Sequence, residues 1–192
     1  MSRSRLVCLV IPISISCALI SCGSGPTSPN VAGPTPIPSH LWSPPSGATP
    51  DTGNFIYLAS DAGDFVGDGE TVLDTPGNTQ ISAQASTVHL IFQVRDTTLG
   101  NTITTGILYA MNAIPRFERG YYFVPSGPVL GNGSRSGLEW TTQGHGCDSI
   151  SGWFTVDQVS YTGDTLTSID LRFEQHCDGA GPALHGAVHW RL

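Results

Sequence analysis

The most regular feature of the chain is an alternation of apolar and polar side chains that begins after about residue 54. It is clearest from Thr165 to Gln175, where Ile169, Leu171 and Phe173 alternate with charged residues. The run from Val88 to Arg95 shows the same alternation. A period of two residues is typical of strands that bury one face and leave the other in water. The alternation therefore predicts half-buried β-strands.

A hairpin closed by a disulfide is predicted between residues 147 and 177. The run Trp153–Val159 alternates like the run 165–175, and the glycine-containing segment 161–164 between them has the length of a hairpin turn. Cys147 precedes the first strand and Cys177 follows the second. Because antiparallel pairing brings both thiols to the open end of the hairpin, we expect them to form a disulfide.

The remaining strand candidates are short, and segments containing glycine or proline separate them. They are Phe55–Ala59, Glu70–Asp74, Val88–Arg95, Thr104–Met111, Tyr121–Val124, Gly137–Thr142 and Leu184–Trp190. No stretch combines a helical period with helix caps. Many short strands at this spacing indicate an all-β fold over residues 52–192, either an antiparallel β-sandwich or a flattened barrel.

Residues 1–21 have the composition of a signal peptide. Arg3 and Arg5 form a short basic start, and the apolar run Leu6–Ile20 is too short for a spanning helix with normal flanks. The sequence Leu-Ile-Ser-Cys-Gly around Cys22 resembles the lipobox of bacterial lipoproteins. That resemblance implies that Cys22 is lipidated, with palmitate among its acyl chains. The alternative is a plain secretory signal in which this cysteine has no special role.

Lipidation at Cys22 implies a bacterial cell-envelope protein that several acyl chains hold to a membrane. Gly23 replaces the aspartate that marks inner-membrane retention in lipoproteins, so the resemblance favours the outer membrane in a cell that has one. Of the five cysteines, two lie in the leader and one is the predicted anchor, which leaves Cys147 and Cys177. An exported protein with one remaining pair is most simply interpreted as having one disulfide.

Residues 22–51 are dominated by proline, serine, glycine and threonine. Few apolar side chains are present to offset the entropy of ordering, so we expect a disordered, partly polyproline-like tether between the anchor and the domain. Leu41 and Trp42 are the only large apolar neighbours in it, and they are candidates for docking on the domain.

A candidate calcium site lies in the acidic, glycine-rich loop 60–70. Asp61, Asp64, Asp68 and Glu70 offer oxygen ligands at short spacing, as a hard cation requires. The spacing differs from that of the EF-hand loop. The alternative is a solvated connecting turn, for which the same composition is common.

Histidines form the second candidate. His145 and His176 flank the two disulfide cysteines, and His185 and His189 share one face of the last strand because their separation is even. His145, His176 and His185 define a possible pocket, and clustered imidazoles can bind Zn²⁺ or Cu²⁺. The alternative is exposed or hydrogen-bonded histidines beside a disulfide.

Aromatic residues form the third candidate, a platform on which sugars could stack. Its members are Tyr121, Tyr122, Trp140, Trp153, Tyr161 and Trp190. Aromatic residues at strand spacing more often belong to the core or to cross-strand pairs.

Four motifs resemble a family of uncharacterised bacterial secreted and lipid-anchored β-sandwich domains. The motifs lie at Gly144–Cys147, Gly152–Asp157, Phe173–Cys177 and Pro182–Gly186. The resemblance implies a β-sandwich and the predicted disulfide, but it supplies no catalytic residues. His145 stands where the family often has arginine between the two glycines, which weakens a role for a cation there.

The expected function is that of a non-catalytic binding module with an envelope glycan or protein as its partner. No Gly-x-Ser-x-Gly motif occurs, and no cysteine of the domain would remain free as a nucleophile. The net charge of −7, with arginine as the only basic residue type, argues against nucleic acid as a ligand. The alternatives are a carbohydrate-binding domain stabilised by Ca²⁺ and, third, an envelope hydrolase or metalloenzyme.

Overall fold

The computed structural model describes residues 33–98, 100–112, 114–128, 133 and 135–192. The strands in these ranges are β1 Phe55–Ser60, β2 Thr71–Asp74, β3 Thr79–Ala85, β4 His89–Asp96, β5 Thr102–Tyr109, β6 Gly120–Pro128, β7 Gly137–Thr142, β8 Ser149–Thr162, β9 Thr165–Cys177 and β10 Ala183–Arg191. No helix in the described part of the chain is long and apolar enough to cross a bilayer. The predicted signal peptide and Cys22 lie outside the described residues, so both stay predictions.

The strands form two antiparallel sheets that pack against each other. The six-stranded sheet has the order β2-β1-β10-β9-β8-β6, and the four-stranded sheet has the order β3-β4-β5-β7. A single cluster of buried apolar residues contains side chains from both sheets. The prediction of an all-β antiparallel sandwich is therefore confirmed.

The predicted hairpin is formed by β8 and β9, the two longest strands. Thr162 pairs with Thr165, which leaves only Gly163 and Asp164 in the turn. Gly163 has a φ of 60°, a left-handed conformation that suits glycine in such a turn. At the open end, Cys147 and Cys177 form the predicted disulfide, with their Cα atoms 5.1 Å apart.

Aromatic rings fill the space between the sheets. Trp140 stacks on Phe173 of the opposite sheet with ring centroids 4.6 Å apart, and it packs at a tilt against Phe92 at 6.2 Å. Gly106 pairs with Trp140 across the β5–β7 ladder. A Cβ atom on Gly106 would lie 1.9 Å from the Trp140 ring. Any larger residue at position 106 would therefore clash with the indole, and glycine leaves room for it in the core.

Gln175 connects the two sheets from within the core. Its side chain is fully buried, although glutamine is polar. The amide oxygen accepts a 2.7 Å hydrogen bond from the backbone N–H of Trp140, and the amide nitrogen donates a 2.9 Å hydrogen bond to the carbonyl of the same residue. Because β7 is an edge strand, this amide takes the place of a neighbouring strand at Trp140.

Residues 33–51, which we call the strap, lie against the outer face of the six-stranded sheet. Thr35 forms a two-way backbone bridge with Tyr121 of β6, with distances of 3.0 and 2.8 Å. Trp42 stacks on Tyr57 and His185, which confirms that it docks on the domain. The strap contains no helix or strand, but it is docked on the domain, unlike the disordered tether predicted for these residues. The part of the predicted tether before residue 33 lies outside the described residues.

Candidate functional site

The structure groups two of the three predicted pocket histidines around one carboxylate. His185 Nδ1 is 3.4 Å from Oε2 of Glu174, and His176 Nε2 is 3.2 Å from Oε1 of the same side chain. Asp61 approaches from the acidic loop, with its Oδ1 3.5 Å from Nε2 of His185. These four residues form a connected cluster of acidic and imidazole groups, which we call the Glu174 cluster.

Strand register explains why these residues meet. Glu174 and His176 are two residues apart on β9, so both point away from the core. His185 on β10 is the direct cross-strand partner of Glu174. His145 follows β7 instead and stacks on the exposed Phe65 at 5.3 Å. No contact among the described residues joins His145 to the other two histidines.

The cluster shifts the charge states of its members. The neighbouring His185 lowers the pKa of Glu174 to about 2, with a further contribution from His176, and together they outweigh the opposing effect of burial. Burial alone would lower the pKa of His185, but Glu174 and Asp61 reverse that effect and raise it. Glu174 is therefore held as a carboxylate, and His185 favours the protonated form.

The strap covers this cluster. The Trp42 ring lies 5.0 Å from the His185 ring, with 17° between the planes. Arg172 holds the strap in place by donating 2.9 and 2.7 Å hydrogen bonds to Trp42 O and Ser43 Oγ. The same guanidinium forms two 2.8 Å hydrogen bonds with Asp157. His185, at the centre of the Glu174 cluster, therefore lies beneath a docked segment, while Asp61 stays exposed.

His189, the fourth histidine of the sequence prediction, belongs to a separate ion-pair group. Its Nδ1 is 2.7 Å from Oδ1 of Asp170, and its ring stacks on Phe55. Arg191 binds the same carboxylate through both terminal nitrogens. His189 does share a strand face with His185, but the carboxylate next to it fixes its position in this group.

The acidic loop does not gather its four carboxylates around one point. Asp64 is buried and caps the loop by accepting hydrogen bonds from Ser60 Oγ and from the N–H of Gly67. Asp61 accepts a hydrogen bond from the N–H of Ala183. Within the described residues, no three His, Cys, Asp or Glu side chains are placed to share a metal ion. The arrangement thus gives no support to a calcium, zinc or copper site there.

The six predicted platform aromatics are divided between the core and the surface. Trp140, Tyr122 and Trp190 belong to the buried core, and Tyr161 packs partly against it. Tyr121 and Trp153 lie on the outer face of the six-stranded sheet and stack at 6.3 Å, but only Tyr121 is partly exposed, because Trp153 is buried beneath its neighbours. The extended platform is therefore not formed.

A smaller aromatic surface exists at the β6 edge. Phe123, the cross-strand partner of Trp153, is 63% exposed. We call Tyr121, Phe123 and Trp153 the aromatic patch. Beside it lies a hollow of about 380 Å³, whose lining is mostly apolar and includes Tyr121, Phe123, Pro125 and Met111. Tyr121 and Trp153 are among the predicted aromatic residues, but Phe123 is not, although its exposed position follows from the alternation with buried Tyr122 and Val124.

A second concavity, the end cavity, opens between the two sheets where β2 and β7 end. It has a volume of about 200 Å³ and is lined by residues of both sheets and of the acidic loop. Asp74, the last residue of β2, lines it. Asp74 is not among the residues that the sequence predicts for a site. The available signal was a carboxylate two residues after Val72, on the strand face that turns toward the core.

No protein-family model matches the chain, and it matches neither a curated protein nor a solved structure. The resemblance to lipid-anchored β-sandwich domains therefore stays a prediction that rests on the motifs themselves.

Proposed function

We propose that this protein is a lipid-anchored, non-catalytic binding module of the bacterial cell envelope, and that the aromatic patch is its ligand-binding surface. The observation that carries the proposal is the exposure of Phe123 beside the apolar hollow at the β6 edge. Exposed apolar surface next to a concavity is characteristic of interaction sites. Aromatic side chains supply large contact areas at small entropic cost.

The position of the strap supports a site close to the membrane. Thr35 pairs with Tyr121, so the strap passes directly beside the aromatic patch. Thr35 follows Cys22 by thirteen residues. A chain of that length spans at most about 45 Å when fully extended, because each residue contributes about 3.5 Å. A lipidated Cys22 would thus keep the patch within reach of ligands at the membrane surface.

The Glu174 cluster does not favour the third alternative, an envelope hydrolase. Its carboxylate is already engaged by two histidines. The Trp42 ring covers His185, and the backbone of the same residue is fastened by Arg172. We therefore interpret the cluster as part of the surface on which the strap docks.

Co-sedimentation with envelope fractions tests the proposal. The purified protein is mixed with washed envelope and with isolated cell-wall polymer, and the bound fraction is measured for wild type, Phe123→Ala and Phe65→Ala. Phe65 is a matched control because it is also an exposed phenylalanine, at 58%, but lies outside the patch. We expect Phe123→Ala to lose most of the binding and Phe65→Ala to retain it. Equal binding by all three proteins would contradict the proposed site.

Carbohydrate binding is the second candidate, and the rings of Tyr121 and Phe123 on the outer face of β6 favour it. Aromatic rings on one exposed strand face offer a surface on which a sugar can stack. Titration with soluble envelope glycans separates the two candidates. Saturable glycan binding that Tyr121→Ala abolishes would establish this candidate, and binding only to the protein component of the envelope would exclude it.

A further inference from the structure

The end cavity combines an apolar wall with an acidic rim. Leu58, Leu184 and Ile103 contribute apolar side chains from both sheets. Asp68 and Glu70 come from the acidic loop, and both are exposed. Arginine is absent from the described residues that line the cavity. The cavity therefore has acidic groups at its exposed rim and an apolar wall, and Thr104, Thr142, Gln143 and His145 add polar side chains to the lining.

Asp74 is the most buried polar residue of the cavity lining. It is only 3% exposed, and its Oδ2 atom has no hydrogen-bond partner among the described residues. An unpaired buried carboxyl oxygen is costly, because the group has lost water without gaining a donor. Burial also raises the pKa of Asp74, partly offset by a hydrogen bond with the Thr79 side chain. A donor group in the cavity would relieve that cost.

The neighbouring side chains do not supply this donor. Thr142 lines the cavity, but its hydroxyl donates to the carbonyl of Val66. His145 stacks on Phe65. No ion pair links Asp68, Glu70 or Asp74 to a basic residue within the described ranges. Oδ2 of Asp74 therefore remains without a donor among the described residues.

We infer that the end cavity binds a small organic cation whose ammonium or guanidinium head contacts Asp74. The alkyl portion of such a ligand lies against Leu58, Leu184 and Ile103, which gives the apolar wall a function. A bare metal ion fits less well, because no three ligating side chains share a point in the described residues and an apolar wall offers such an ion no ligands. The head group donates to the orphaned carboxyl oxygen and favours its charged form.

This site lies apart from the aromatic patch and does not depend on its role. Asp68 and Glu70 at the mouth attract a cation before it reaches Asp74, because carboxylates that line a concavity focus the field within it. The ammonium or guanidinium head could belong to a free amine or to a lysine or arginine side chain of a peptide. Both sources share the same chemistry at the cavity.

Isothermal titration calorimetry of the full-length lipidated protein in a non-ionic detergent tests the inference, with detergent alone as the blank. The probes are 1-aminopentane and its neutral counterpart 1-pentanol, at constant ionic strength. We expect saturable binding of the amine and binding of the alcohol that is weaker by about tenfold or more, as loss of a charge-assisted contact predicts. Equal affinity for the two probes, or no amine binding by the native protein, would overturn the inference.

Variants locate the site. Asp74→Asn keeps the shape of the side chain and is expected to weaken amine binding by about tenfold. The control is Asp164→Asn in the exposed hairpin turn, which removes an equal charge and is expected to leave amine binding unchanged. Glu70→Gln, an exposed substitution that the fold tolerates, is expected to weaken binding by about twofold to threefold. Unchanged binding by Asp74→Asn would overturn the inference. If Asp74→Asn fails to fold, unchanged binding by Glu70→Gln would do so.

Two peptides distinguish the sources of the cation. One is a hexapeptide with a single lysine, and the other carries norleucine at that position. Tighter binding of the lysine peptide than of 1-aminopentane assigns the site to a protein side chain. Tighter binding of 1-aminopentane assigns it to a free amine, and either result supports the inference. Equal binding of the two peptides, together with equal binding of the amine and the alcohol, would overturn it.

Discussion

Among single residues, Glu174 is the acid on the outer face of the six-stranded sheet whose pKa is shifted most strongly. Its pKa of about 2 in the folded state lies below the ordinary value of 4.5. A carboxylate whose pKa is depressed by folding contributes stability above its unfolded-state pKa, and this contribution is lost as the pH falls toward the folded-state pKa. The contribution is therefore present at neutral pH and disappears between about pH 4.5 and 2.

The first prediction concerns this carboxylate. We expect Glu174→Gln to lower the free energy of unfolding by about 1–3 kcal/mol at pH 6, because His176 and His185 lose their charged partner. Urea unfolding at pH 6 and pH 3 measures the difference, which should shrink at the lower pH. Glu118→Gln is the control, since Glu118 is exposed and forms no ion pair among the described residues. An equal loss in both variants would count against the role of the cluster.

The second prediction concerns His185, whose pKa is raised above 6.5 by Glu174 and Asp61 against the effect of burial. A histidine with a raised folded-state pKa contributes stability that is complete below the unfolded-state pKa and is lost as the pH rises through the folded-state pKa. We expect the free energy of unfolding to decline between pH 6 and pH 9, and His185→Gln to remove part of this decline. Urea unfolding measures the free energy of unfolding at each pH. If it declines equally with pH in wild type and in His185→Gln, the expectation is contradicted.

At the scale of strands, the alternation of side chains predicted the strongest elements. The β8–β9 hairpin and its disulfide follow from the pattern because Ile169, Leu171 and Phe173 are large and regularly spaced. β3 was missed. Its sequence from Thr79 to Ala85 is mostly small and polar, and Ile81 is its only large apolar residue, as is common for an edge strand. The alternation of apolar and polar residues is weak in a strand that buries few large apolar side chains.

The candidate sites show the same limit. The pairing of His176 and His185 with Glu174 depends on the register between β9 and β10, which no local pattern specifies. The orphaned oxygen of Asp74 depends on packing between the two sheets. Trp140 was grouped with surface aromatics because sequence alternation alone does not say which face of β7 is buried. These features require the tertiary structure.

The third prediction concerns Gln175, which joins the sheets. Gln175→Leu keeps a similar volume but leaves the N–H and carbonyl of Trp140 without partners in the core. We expect the free energy of unfolding to fall by about 2–4 kcal/mol, since each unsatisfied buried group costs about 1–3 kcal/mol. Gln158→Leu, on the exposed part of β8, is the matched control and should change stability by less than about 0.5 kcal/mol. A small effect of both substitutions in urea unfolding would show that the inter-sheet bonds contribute little.

At the scale of the whole molecule, the chain is organised from the predicted anchor outward. Cys22 precedes the strap, the strap pairs with β6 at Tyr121, and the aromatic patch lies at that same edge. Arg172 and Arg191, two of only eight basic residues, are engaged in ion pairs with Asp157 and Asp170. This leaves a mainly acidic surface, which disfavours nucleic acid as a ligand, and the proposed ligand-binding surface is the aromatic patch.

The fourth prediction concerns the anchor. We expect intact-mass spectrometry of the protein from its native membrane to show an acylated Cys22 as the first residue. Cys22→Ser should move the protein from the membrane to the soluble fraction, because the acyl chains supply the membrane affinity. A Cys8→Ser variant controls for cysteine loss within the leader. Membrane retention of Cys22→Ser would contradict lipid anchoring.

Hydroxyl-radical footprinting of the protein in intact envelope, compared with the detergent-extracted protein, shows whether the aromatic patch is the surface that binds the envelope. The labelling reports the covered surface even when the ligand is unidentified. Binding through the aromatic patch predicts that Phe123 and Tyr121 are labelled less in the envelope than in detergent, while Phe65 is labelled equally in both. Equal labelling of Phe123 in the two states, with its exposure of 63% unchanged, would contradict the account.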